Sequence, residues 1–306
     1  MEPHDHLVPQ AARLLGASLA ARFAFLERDK VVPTTTFNML QAHLETLFTG
    51  PRVNRPPALA VGGMSGIGKS MGVKDFLRKH KPRRDKASGI LYVPVLYLEY
   101  PPVAGTHWYL KALFEGLGYK SIIPQHTSDA FALLLTRLAL ARTRLIICEE
   151  VHQICGSRPD VIREWYGITR WLMNQSKIPQ VLVGTEEMFD LLDGDIQLVR
   201  RFDRLELAPW DNGPELAGFA KGYLRTVPLP EETVITSGLL DQIYETGQGI
   251  PDTTVKVLNR AAKKAMVAAC SRILPEHIAA DATLAAPVVT GRKAVPRYKR
   301  RPKSLD

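Results

Sequence analysis

"VGGMSGIGKSMG", Val61 to Gly72, decides the reading of this chain. Five of its twelve residues are glycine and one is lysine, and it grows out of the apolar run "PALAV", Pro57 to Val61. Gly63, Gly68, Lys69 and Ser70 satisfy G-x-x-x-x-G-K-[ST] in the setting that pattern requires, with a strand before it and the helical "KSMGVKDFLRKH" after it. Glycines let a backbone wrap an anion with successive N–H groups turned inward, and the helix that follows adds its positive end. Ser65, Gly66, Ile67 and Met71 complete the expected cradle. Lys69 is expected to bridge the β- and γ-phosphates of a nucleoside triphosphate and the Ser70 hydroxyl to ligate Mg²⁺.

A triphosphate site needs a carboxylate on the metal side and a group that activates water, both at the end of a neighbouring strand. "RLIICEEVH" offers Glu149 and Glu150 after four apolar residues, which puts them at the strand's C-terminal edge, where open α/β sheets bind ligands. Glu149 is expected to hold Mg²⁺, directly or through water, and Glu150 to act as general base. "PQVLVGTEE" ends a strand at Thr185, which either orients the lytic water or caps the strand. "QLVRRFDRLEL" places Arg200 and Arg201 before an aromatic residue. They read as an arginine finger reaching a neighbouring subunit's γ-phosphate, or as a pair on a surface helix.

Working outward, "GILYVPVLYLEY" reads as a strand, "HWYLKALFEGLG" and "DAFALLLTRLALAR" as helices, "RLIICEE" as a buried strand and "DVIREWYGITRWLMNQ" as a helix. This βαβαβαβ rhythm is that of a parallel sheet covered by helices. After "RFDRLELAPW" only helical periodicity remains. The expected organisation is a helical segment at 1–49, an α/β nucleotide-binding core at 50–210, a helical lid at 211–280 and a basic tail at 281–306.

The chain has 306 residues, 45% of them hydrophobic, enough for a large domain with a satellite. No apolar run approaches bilayer length, and the N-terminal stretch is interrupted by Arg13 and Arg22, so neither a membrane span nor a secretion signal is expected. Three cysteines cannot build a disulfide framework and suit a reducing cytoplasm. Cys148, His152 and Cys155 lack an evident fourth zinc ligand and read as packing residues. His152, beside Glu150, reads as a packed or hydrogen-bonded neighbour rather than a base.

The net charge of +9 is concentrated at the end, where "GRKAVPRYKRRPKSLD" carries seven Lys/Arg against one Asp. Such a tail is usually disordered, and it either contacts phosphates or an acidic protein or serves solubility. Other basic candidates for duplex phosphates are "RKHKPRRDK", Arg78 to Lys86, and Lys111 and Lys120 on either side of a helix.

Taken together, the loop, "IICEE", "VLVGT", the "RRF" arginines and the trailing helices resemble an AAA+ ATPase. The chain is similar within that superfamily to the TniB/TnsC-type transposition ATPases, through "ETLFTGPRVNRPPALAVGGMSGIGKS", "IICEEVHQI", "LMNQSKIPQVLVGTEE", "LVRRFDRLELAPW" and "IYETGQGIPDTTVKVLNRAAKKAM", over roughly residues 20–280. The resemblance implies ATP and Mg²⁺ as cofactors and rings or filaments of this chain on double-stranded DNA. It also implies partnership with a DDE transposase and a TniQ-like target selector, in a bacterial cytoplasm and at the nucleoid when bound to DNA. It favours Lys111 and Lys120 as DNA-facing residues. The apolar Val31, Val32 and Pro33 resemble the segment that packs on the adenine base in related proteins. Glu149 stands where the family pattern has Asp. Asp252 stands near the place of a nucleotide-sensing arginine, with Lys256 one turn later as a possible substitute. A helicase-loader type of AAA+ ATPase and a largely non-hydrolysing ATP-dependent DNA scaffold are the alternative readings.

Overall fold

The computed structural model describes residues 5–100, 105–119 and 126–278. Five strands form one sheet: β1 (Ala58–Gly62), β2 (Val95–Glu99), β3 (Leu145–Glu149), β4 (Gln180–Val183) and β5 (Phe202–Glu206). Their spatial order is β2-β3-β4-β1-β5, and every pairing is parallel. The longer helices are α1 (Leu19–Leu26), α2 (Thr35–Thr49), α3 (Lys69–Lys79), α4 (Thr106–Gly116), α5 (Thr127–Leu140), α6 (Pro159–Ser176), α7 (Glu187–Asp193), α8 (Pro214–Leu224), α9 (Ser237–Gly247) and α10 (Pro251–Val267).

Strand periodicity explains why the sheet is covered twice. Successive side chains point to opposite faces, so Ala58, Ala60, Leu96, Leu98, Ile146, Cys148 and Leu182 meet α4, α5 and α6 through Phe114, Leu134 and Trp165. The alternate set, Leu59, Val61, Val95, Ile147, Val181 and Val183, meets α2 and α3 through Leu40, Leu44, Val73 and Phe76. With both faces covered, β1, β3 and β4 are buried along their whole length.

The run "GILYVPVLYLEY", expected as a single strand, is two. Leu91–Tyr92 pairs antiparallel with Arg83–Arg84 in a small hairpin, and β2 starts only at Val95. Pro94 causes the break, because it has no N–H to give the ladder. Its carbonyl instead accepts from Arg144 N–H at 2.8 Å.

A third apolar cluster lies outside the sheet, where α8, α9 and α10 pack together through Leu216, Tyr223, Ile243, Leu258 and Ala262. Leu26 of α1 and Trp210 belong to that cluster. Within the N-terminal 49 residues, α2 therefore packs on the sheet while α1 packs on the C-terminal helices. Val8 N–H donates to Arg225 O at 2.8 Å, and Asn259 Nδ2 donates to Leu26 O at 3.1 Å. Among the described residues no helix is long and apolar enough to cross a membrane.

Candidate nucleotide site

The glycine loop joins β1 to α3. Gly63, Gly66 and Gly68 have φ of +153°, +80° and +100°, conformations costly for any side chain. Gly63 also has no room, because a Cβ there would lie 2.4 Å from Leu207 O. Gly68 caps α3 without any side-chain hydrogen bond, which leaves the first-turn N–H groups to an anion. The same glycine that ends the loop thus opens the helix's positive end.

Lys69 is 9% exposed, and its Nζ donates to Gly63 O at 2.6 Å and Met64 O at 2.9 Å. Burial lowers its pKa, while the charges of Glu150, Glu149 and Glu186 act the other way. Ser65, Gly66, Ile67, Gly68, Lys69, Ser70 and Met71 line a cavity of about 580 Å³, together with Glu150, His152 and Thr185. The parallel order brings them together, since Gly184 N–H donates to Val61 O at 3.1 Å and Cys148 is in register with Leu182. The ends of β1, β4 and β3 thus meet at one edge.

The two glutamates occupy different environments. Glu149 is 3% exposed, its carboxylate stands beside the Ser70 hydroxyl, and its Oε1 is buried without a hydrogen-bond partner. Burial raises its pKa, against the hydrogen bonds from Tyr97 and Ser70. A hydroxyl beside a carboxylate with an orphaned buried oxygen is a hard-oxygen donor set, and it fits Mg²⁺. Glu150 has φ +59° and ψ +27°, a left-handed residue that turns its side chain out of the strand into the cavity. Its Oε2 lies 3.5 Å from His152 Nε2. His152 Nδ1 accepts from Thr185 N–H at 3.4 Å, so in the neutral ring the proton sits on Nε2, facing Glu150. Thr185 Oγ1 donates to Glu187 Oε2 at 3.2 Å.

The other end of the cavity is apolar. Val32 lines it with Leu26, Val31, Trp210, Phe219 and Tyr223, whereas Pro33 is not among its walls. Val32 is pressed against α8, where a Cβ on Gly222 would meet Val32 Cγ1 at 2.7 Å. Such a lining suits a nucleobase.

Arg200 and Arg201 stand apart from this cavity, ahead of β5. Arg200 is exposed. Arg201 Nη1 donates to Asn174 Oδ1 at 2.8 Å, within a group that includes Arg55, Arg170 and Asp195. Lys111 lies on α4, 3.9 Å from Glu115 and 5.0 Å from the centre of the Trp108 ring, also away from the cavity. Lys120 and the tail at 281–306 lie outside the described residues. In the stretch Arg78 to Lys86, Arg78 and Lys79 pair with Asp75 on α3, and Arg83 lies 5.4 Å over the Tyr92 ring. Cys148 is buried and Cys155 partly buried, and among the described residues no three His, Cys, Asp or Glu side chains are grouped to hold a metal.

Sequence reasoning missed Tyr97 and Glu99. The Tyr97 hydroxyl lies 2.8 Å from Glu99 Oε1 and 2.9 Å from Glu149 Oε2, with one proton to share. The signal was present in the period of β2, but which residue meets Glu149 depends on the register Glu99↔Glu149. Trp210, Phe219 and Tyr223 were missed because they come from the C-terminal helices and the linker before them.

Comparison with known proteins bears on both the fold and the family. The structure is similar to the Aeropyrum pernix ORC2 protein, whose structure is of ADPNP–ADP complexes, with a TM-score of 0.61 and 16% identity over 83% of this chain and 69% of that one. It is similar to the Aeropyrum pernix ORC1 protein in complex with DNA, with a TM-score of 0.59 and 18% identity over 84% and 67% of the two chains. Cdc6p from Pyrobaculum aerophilum gives 0.59 and 14% over 83% and 68%. At such identities the likeness establishes the fold, that of the AAA+ ATPases. A search of curated protein sequences finds no match. The family described as "Bacterial TniB protein" matches residues 22–212, which hold the loop, all five strands, Glu149, Glu150, Thr185 and both arginines, and the chain belongs to that family.

Proposed function

We propose that this protein is an ATPase that binds double-stranded DNA, assembles on it as a ring or filament, and links a target selector to a DDE transposase, with hydrolysis driving disassembly. The observation that carries the ATPase part is the meeting of the glycine loop, the Ser70–Glu149 pair and Glu150 at one sheet edge, with α10 set against the loop. Membership of the TniB family supports the transposition part, and the structures of similar fold described with nucleotide and with DNA are consistent with both ligands.

In this reading the loop amides and the first turn of α3 receive the phosphates, and Lys69 exchanges its two carbonyl partners for phosphate oxygens. Ser70 and Glu149 would hold Mg²⁺, which would supply neutralisation of the charge that develops on the transferred phosphate. Glu150 takes the proton from the attacking water, with the His152 Nε2–H orienting its carboxylate and Thr185 tying His152 to the end of β4. Arg200, exposed and unburdened by the contact that holds Arg201, reaches the γ-phosphate of a neighbouring copy. Lys111 beside Trp108 is a DNA-facing candidate.

Electron microscopy of the protein with double-stranded DNA tests the assembly, comparing a slowly hydrolysed ATP analogue with ADP. Rings or filaments with the analogue alone support it. Dispersed particles in both states overturn it. The burial of Glu149 favours one second reading, a scaffold in which ATP is a structural ligand. Equal and negligible turnover by the wild type and Glu150→Gln would establish that reading in place of catalysis.

A further inference from the structure

The two oxygens of the Glu149 carboxylate are not equivalent. Oε2 lies 2.9 Å from the Tyr97 hydroxyl, whereas Oε1 is buried with no hydrogen-bond partner. Tyr97 and Glu99 stand two residues apart on β2 and so share one face of the sheet with Glu149, which is in register with Glu99. The Tyr97 ring packs against the apolar cluster under α2 and α3, which fixes where its hydroxyl can reach. Glu99 Oε1 lies 2.8 Å from the same hydroxyl. A phenol has one proton to donate, so Glu99 and Glu149 compete for it.

A carboxylate with both oxygens free takes a cation through one oxygen or through both. Ca²⁺ accepts either mode, whereas Mg²⁺ demands a small, near-ideal octahedron. The two oxygens of one carboxylate are too close together to fill two of its corners. We propose that Tyr97 is a positioning residue that, by holding Glu149 Oε2, leaves Oε1 as the single oxygen offered to the nucleotide's divalent cation and so selects Mg²⁺ over Ca²⁺. Glu99 is its counterweight, because each share of the phenolic proton it takes loosens Oε2. This rests on the nucleotide and Mg²⁺ reading above.

The test uses the full chain with a slowly hydrolysed ATP analogue and Mn²⁺, whose protein-bound spectrum is followed by electron paramagnetic resonance while Mg²⁺ or Ca²⁺ displaces it. Tyr97→Phe keeps the packed ring and removes the hydroxyl. It is expected to shift the ratio of Ca²⁺ to Mg²⁺ affinity several-fold toward Ca²⁺, the size of one hydrogen bond to a charged group. Glu99→Gln is expected to shift the ratio the other way, since a neutral amide competes less well for the proton than a carboxylate. An unchanged ratio in Tyr97→Phe, including equal weakening of both ions, would overturn the proposal, as would shifts of the same sign in the two variants. A wild type that binds no Mn²⁺ beyond what the free analogue holds would instead overturn the nucleotide and Mg²⁺ reading on which it rests.

Discussion

Glu149 and Glu150 are identical side chains one residue apart, and the fold gives them opposite surroundings. Glu149 ends a strand buried on both faces, while Glu150 takes a left-handed conformation and is 42% exposed along its side chain. Burial of Glu149 has a pH signature. A carboxyl whose pKa is higher folded than unfolded binds more protons in the folded state, so stability falls as pH rises from the ordinary carboxylate value through the raised one. Glu149→Gln should remove that slope and be more stable above it by about 1 kcal/mol, at the low end for relieving a buried polar group. Chemical denaturation of both proteins across pH 4 to 8 measures it, and parallel curves would refute it. Glu150→Gln should keep ATP affinity within about twofold and lower turnover roughly 10²-fold or more, the contribution of general base catalysis, as read by phosphate release.

At the scale of elements, the loop and α10 constrain each other. Gly68 and Gly66 both have positive φ, yet a Cβ on Gly68 meets open space while one on Gly66 meets Asp252 and Ile250 at 3.1 and 3.3 Å. Alanine at either position should cost about 1–2 kcal/mol of backbone strain. Only Gly66→Ala should also push α10 away, seen as faster hydrogen exchange at residues 251–256, and equal exchange in the two variants would contradict the contact. The break at Pro94 belongs to this scale and was legible in the sequence, since a proline inside a strand pattern argues against a continuous strand. The packing of α1 on α8 and α10 was not legible. Its apolar face, with Leu26 only 1% exposed, fits any apolar surface and names no partner.

Across the whole molecule, charge is divided by the direction of the sheet. The C-terminal strand ends carry Glu99, Glu149, Glu150, Glu186 and Glu187, while Arg55, Arg142, Arg144, Lys177, Arg200 and Arg201 precede the N-terminal ends. In a parallel sheet those ends lie on opposite sides, so Arg200 stands away from the carboxylates of its own chain, and in the proposed assembly it serves those of another copy. Arg201 is committed to Asn174, and its replacement by alanine should cost stability. Arg200→Ala should leave the fold intact and remove most ATPase activity. Mixing inactive Arg200→Ala with inactive Glu150→Gln should restore activity, because some interfaces then pair an intact arginine with an intact glutamate. A mixture as inactive as its parts would show that Arg200 does not act in trans.

The sequence by itself determined the loop, the strand rhythm and the pair of acids, because each is local: a glycine spacing, an apolar period, two residues at a strand end. Only the tertiary structure decided which acid is buried, that Tyr97 and Glu99 share its surroundings, and that Asp252 stands at Gly66. Those facts depend on strand register and helix docking, which bring together residues about 50 to 190 positions apart, and no local pattern encodes such distances.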